Sequence, residues 1–219
     1  MQEETSGLAC PICEKRPPKR FCPAKEETIC AVCCGTEREV TIDCPSDCTY
    51  LHASRQYDLE RREADWSKVP FADSKILPAF VVEHQSLLLA LSYSLCTAAR
   101  DNRLVADSDV LAALVALAET YRTLSSGIYY DKAPDFRVQR ELYDALKAAI
   151  EEFGKRAAQQ PGGGAVRDAE IRDTLIFLAQ LGTTRSNGRP KGRAFLHFMR
   201  SQFKPEEFAK PASNIVLLP

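Results

Sequence analysis

Apolar positions are spread unevenly along the chain. Residues 75–127 hold 20 Val, Ile, Leu, Met, Phe or Tyr in 53 positions, whereas residues 1–57 hold only 11. The first stretch cannot bury a core of its own and needs a covalent or metal staple; the second can anchor a domain. From Ile76 to Arg103 the chain is apolar on almost every side, which predicts a central, largely buried helix with Pro78 in its first turn. Asp107-Ser108 is placed to cap a second helix, where Leu111, Leu114, Val115, Ala118 and Tyr121 recur at helical spacing and Gly127 ends it. A third starts at Asp135, with Leu142, Leu146, Ile150 and Phe153 as its stripe. After the flexible run 161–164, a fourth spans Asp168 to Leu181 and closes at Gly182. The turn Asn187-Gly188-Arg189-Pro190 leads to a short fifth helix carrying Phe195, Phe198 and Met199.

This pattern predicts a mainly α protein: a small Cys-rich zinc module with little regular structure (residues 1–57), an all-α helical domain (76–204) and an extended C-terminal tail (205–219). A helix at about 46–62 leads out of the module, and the linker at 62–75 contains Trp66, read as a buried anchor. The only strand signal is Glu39–Asp43, inside the cysteine region.

The overall balance is ordinary for a folded domain. Of 219 residues, 45% are hydrophobic and 27% charged, which excludes wholesale disorder. The formal net charge is −1, so nothing global points to nucleic acid or an anionic membrane. No apolar run reaches the roughly 18 residues of a membrane span. The acidic, polar start MQEETSGLACPIC lacks the pattern of a secretory signal, and a cytoplasmic location is expected.

The chemistry lies in the cysteines. Eight of nine fall within the first 48 residues: Cys10, Cys13, Cys22, Cys30, Cys33, Cys34, Cys44 and Cys48. A reducing cytoplasm disfavours disulfides, so this cluster reads as a metal site. The spacing is C-x2-C, x8, C, x7, C-x2-C-C, x9, C-x3-C, with His52 three residues further on. Eight thiols suffice for two tetrahedral all-thiolate sites, so two Zn2+ ions are expected; an iron–sulfur redox protein is the competing reading. Closed sites with four protein ligands leave no position for a reacting water, which argues against catalytic zinc.

In this spacing the segment from Cys10 to His52 resembles the cross-braced zinc fingers of the MYND and HIT type. Cys10 and Cys13 match the first ligand pair, Cys30 and Cys34 the third, and Cys44 and Cys48 the fourth, with Cys in place of His. The second pair matches only at Cys22, because Lys25 holds its partner position. The resemblance implies two ions on interleaved pairs and a protein-docking role. The expected assignment puts Cys10, Cys13, Cys30 and Cys34 on one ion. Cys22, Cys44 and Cys48 take the other, completed by Cys33 or His52.

Two basic clusters complete the picture. Lys15, Arg16, Lys19, Arg20 and Lys25 surround the first knuckles, where they offset the negative charge of zinc thiolates or contact nucleic acid. Between Thr174 and Lys204 there are six basic residues and no acidic one. Arg185, Arg189, Lys191 and Arg193 span a turn that opens a helix, and form a candidate anion site. No catalytic motif is present: there is no G-x-S-x-G, H-E-x-x-H, P-loop or G-x-G-x-x-G. His84 reads as a packed histidine, Cys96 as a small buried hydrophobe, and Tyr129-Tyr130 as rings packed under the helices. The reading is therefore a non-enzymatic zinc-binding adaptor with a protein partner. The alternatives are a nucleic-acid-binding protein using the clusters at 15–25 and 185–204, and an enzyme with an unrecognised site near His84.

Overall fold

The computed structural model describes residues 9–61, 65–100, 102–124, 126–160 and 164–208. Of the expected break at 161–164, positions 161–163 lie outside the described residues, as does the expected extended tail from 209 on; the start of that tail, Pro205–Phe208, is not extended but forms a short 3-10 turn, because Phe208 is buried in the helical core. The chain divides into two compact units: Met1–Ala64 with Ser186–Gly192, and Asp65–Arg185 with the chain from Arg193 on. The protein is mainly α.

In the first unit, a hairpin pairs β1 (Arg20–Cys22) with β2 (Glu27–Ile29), in the register Arg20 to Ile29 and Cys22 to Glu27. A short helix α1 (Ala31–Glu37) follows, and α2 (Thr49–Arg61) closes the unit. The strands lie here, and not at Glu39–Asp43, which contributes only an isolated bridge between Arg38 and Ile42. The core is small and rich in sulfur: Cys10, Cys22, Ile29, Cys30, Cys33, Cys34 and Ile42 are buried together.

The second unit holds α3 (Pro78–Glu83), α4 (Gln85–Arg100), α5 (Asp107–Leu124), α6 (Arg137–Gln159), α7 (Asp168–Arg185) and α8 (Ala194–Arg200). The long helix expected from Ile76 is interrupted at His84, whose φ of −102° and ψ of 20° leave the helical region. The hub of the unit is α5, which packs on α6, α7 and α8, while α4 packs on α6 and α8. Leu89 and Tyr93 of α4 stay more than a third exposed, so α4 is one-sided and not buried all round. Gly182 does not end α7, which runs on to Arg185. A Cβ there would sit 2.6 Å from Leu111 Cδ2 and 2.7 Å from Phe195 Cε1, so glycine is required by close packing. Trp66 is 71% exposed and anchors nothing. Tyr129 and Tyr130 likewise point outward, at 63% and 61% exposure, because the Asp131 carboxylate beside them is held by Tyr143 and Lys147 and sets the course of the loop. No helix among the described residues is long and apolar enough to cross a membrane.

Candidate metal centre

The centre is built from two short knuckles joined by the hairpin. In the first, Glu14 N donates to Cys10 O at 2.7 Å and Cys10 N to Arg16 O at 2.8 Å, curling the chain so that both Cys10 and Cys13 face inward. Glu14 sits at φ +53°, in the left-handed region that closes this turn. The hairpin then reverses the chain: Lys19 N donates to Ile29 O, and Cys30 N donates to Cys10 Sγ at 3.2 Å.

The second knuckle is the start of α1. Cys30 is its N-cap residue, with extended φ and ψ of −73° and 156°, and its sulfur accepts from Cys33 N at 3.3 Å. A thiolate at this position does what a Ser or Asp oxygen does at other helix starts. It also places Cys33 on the same side of the turn as Cys30.

Four sulfurs converge as a result. The ligand atoms of Cys10, Cys13, Cys30 and Cys33 all lie within 4.8 Å of one another. The Cys13 and Cys30 sulfurs are 3.9 Å apart. Zinc–sulfur bonds of about 2.3 Å in a tetrahedron put neighbouring sulfurs about 3.8 Å apart, so this cluster is close to the size one ion requires. All nine cysteines are free thiols. No known protein family, curated protein or solved structure matches this chain. The site therefore stands on its own geometry.

The fourth ligand differs from the expected one. Cys33 joins Cys10, Cys13 and Cys30, and Cys34 does not. The reason is helical geometry: consecutive residues are rotated by about 100°, so Cys33 and Cys34 cannot both face one ion. Cys34 is buried elsewhere in the same unit, where Arg38 Nη2 donates to its sulfur at 3.7 Å. The doublet conceals this in the sequence, because C-x2-C and C-x3-C both read as knuckles.

The electrostatics favour thiolate at two positions and oppose it at a third. Burial raises the Cys10 pKa, but the backbone N–H groups of Cys30, Cys13 and Ile12 outweigh it and bring the thiol down to about 6. Backbone donation from Lys15 and Arg16 lowers Cys13, and the Arg16 guanidinium stands 4.0 Å from its sulfur. Burial pushes Cys33 up to about 12, with hydrogen bonding to the neighbouring cysteines adding to the rise. A bound divalent cation would displace the Cys33 proton.

The remaining predicted residues lie in the same unit. Cys44 packs against the cysteine core and Cys48 precedes α2. Burial raises the Cys44 thiol, opposed by a hydrogen bond from the Glu39 backbone and reinforced by the charges of Glu39, Cys48 and Cys22.

The basic cluster at 185–193 has defined partners. Arg189 Nη1 donates to Gly35 O and Arg38 O at the C-terminal end of α1, at 3.0 and 2.5 Å. Lys191 donates through its backbone to Glu39 O at 2.8 Å and through Nζ to Thr41 O at 2.6 Å. Asn187 Nδ2 donates to Glu39 Oε2 at 2.6 Å. In the second unit, Arg185 lies over the Phe198 ring and Arg193 Nε donates to Val105 O. The sequence pattern gives no sign that Ser186–Gly192 is part of the cysteine unit. No periodicity signals it, since the contacts run through carbonyls and one buried carboxylate, Glu39.

Proposed function

We propose that this protein is a cytoplasmic zinc protein whose metal is structural, and that it works by binding another protein and not by catalysis. The convergence of four cysteine sulfurs carries this reading. An all-thiolate donor set suits zinc or iron and disfavours magnesium, calcium and manganese. The span of the four sulfurs favours a single ion, because a multi-iron cluster interposes several irons and sulfides between its thiolates. Cys10, Cys13, Cys30 and Cys33 would fill all four positions, leaving none for substrate or water. Structural zinc contributes on the order of 10 kcal/mol to folding, which is what a unit with so few apolar residues lacks. Eight thiols in the module support a count of two ions.

Exposed rings and aliphatic side chains in the second unit support a docking role. Ile128, Tyr129, Tyr130 and Phe136 are each more than 60% exposed within nine residues of chain. Tyr and Phe in such a setting are typical of the anchors of protein interfaces. Arg189 and Lys191 are engaged with carbonyls, so the nucleic-acid reading draws no added support from them.

Metal analysis of protein purified without added metal, paired with a visible spectrum, tests the proposal. Bound zinc and a colourless solution are expected. A brown, iron-containing protein would replace it with a redox function. For the docking part, photocrosslinkers placed at Ile128 and Tyr130 should capture protein in cells; salt-sensitive recovery of RNA or DNA instead would contradict it.

A further inference from the structure

We infer that the segment Ile215–Leu218 docks within its own molecule, on the apolar face that α3 and the first turns of α4 leave exposed. The inference goes beyond the metal centre and the Ile128–Phe136 surface and depends on neither.

The chemistry of this face sets it apart. α4 carries no charged residue from Gln85 to Ala99, whereas α5, α6 and α7 each carry both acidic and basic residues. Yet α4 is not buried all round: Leu89 and Tyr93, four residues apart on one side of the helix, are 37% and 39% exposed. At α3, which meets α4 at His84, Leu77 and Val82 are 66% and 75% exposed. A solvent-facing helix surface ordinarily carries charge. An uncharged one that adjoins exposed aliphatic side chains is the mark of a docking face.

The course of the chain points to the occupant. Past the start of α8 it runs along α4 toward the N-terminus of that helix. Cys96 Sγ donates to Leu196 O at 3.9 Å. Further on, Tyr93 Oη donates to Glu207 O at 3.4 Å, and the rings of Phe203 and Phe208 pack on the Tyr93 ring at 5.7 and 5.2 Å. Residues 196–208 therefore cover α4 progressively from Cys96 to Tyr93. Leu89 is the next exposed position in the same direction, about 6 Å on, and α3 follows it.

The residues after Phe208 have the reach and the composition to continue. Ile215 follows Phe208 by seven positions, a span of up to about 25 Å when extended. Ile215-Val216-Leu217-Leu218 is apolar and uncharged, as the face is. Its attachment at Phe208 gives it a roughly millimolar effective concentration there, well above that of a second copy in dilute solution. The face is thus filled by its own chain, and an outside partner must displace the segment to reach α4.

Photocrosslinking of the full chain tests this. p-Benzoylphenylalanine in place of Leu89 should form an adduct with residues 211–218 of the same chain, in purified protein at low concentration. In place of Ile128 it should not. Mixing isotope-labelled and unlabelled chains separates adducts within one chain from adducts between chains by mass spectrometry. Ile215→Asp with Leu217→Asp should abolish the Leu89 adduct, because a carboxylate on an apolar face is costly. With the face itself unaltered, the same double variant should speed hydrogen exchange of the α3 amides by about tenfold. An adduct between chains would overturn the inference in favour of a dimer interface. An adduct with another protein in cells, in place of the segment, would overturn it in favour of an outside partner. Absence of any adduct with residues 211–218, or α3 exchange unchanged in the double variant, would overturn the docking itself.

Discussion

Asp107 and Gly182 show how single residues fix the helical unit. Asp107 is 1% exposed, and its two carboxylate oxygens accept from Phe195 N and Leu196 N at 2.9 and 3.1 Å. It therefore satisfies the first free N–H groups of α8 with a negative charge, where a helix N-terminus favours one. Asp107→Ala should cost about 2–3 kcal/mol, measured by urea unfolding, because it leaves buried donors unpaired. Gly182→Ala should cost about 1–3 kcal/mol, since Leu111 and the fully buried Phe195 ring must both move. Cys96 contrasts with the clustered cysteines. Burial pushes its thiol up to about 12 despite the nearby Arg200, so iodoacetamide at neutral pH should leave it unmodified until the helices unfold. Labelling of Cys96 in the folded protein would contradict its buried position.

Among the elements, the loop between α5 and α6 is held by one polar network. Tyr143, fully buried on α6, donates to Asp131 and shares a 3.0 Å hydrogen bond with Thr120 on α5. The Tyr143 hydrogen bond, followed by Lys147, holds the Asp131 carboxyl below the usual carboxylate range. The folded state thus favours the ionised form. Asp131 adds stability above the ordinary carboxylate pKa and loses it as pH falls through the lowered value. Asp131→Asn should flatten the acid limb of the helical unit's stability profile, and Tyr143→Phe should cost about 1–2 kcal/mol.

These elements also show what a sequence can reveal. The stripes Leu142–Leu146–Ile150 and Leu114–Ala118 lie in the core, because periodic burial is written into the order of residues. The course of the Tyr129–Tyr130 loop and the run of α7 past Gly182 involve contacts between distant segments, which no local pattern encodes. At the candidate metal centre, the spacing pointed to Cys10, Cys13 and Cys30 and to Cys34 as the fourth member, where the structure brings Cys33, since only the rotation along α1 separates the two neighbours.

At the scale of the whole molecule, stability has two sources. The helical unit rests on a continuous apolar core, whereas the cysteine unit rests on sulfur and on contacts from Ser186–Gly192. Chelation should therefore unfold the region around residues 9–61 and leave the helical unit's amides protected, as read by hydrogen exchange. Simultaneous loss of protection in both units would show that they fold as one. Arg189→Ala should weaken the cysteine unit selectively, because it removes the cation that holds the last carbonyls of α1.

The most direct test of a zinc–thiolate core is X-ray absorption at the zinc edge on the protein as purified. The predicted result is a shell made entirely of sulfur, at about 2.3 Å, with no nitrogen or oxygen ligand. A mixed shell with light-atom ligands, or an absorption edge from iron in place of zinc, would contradict it.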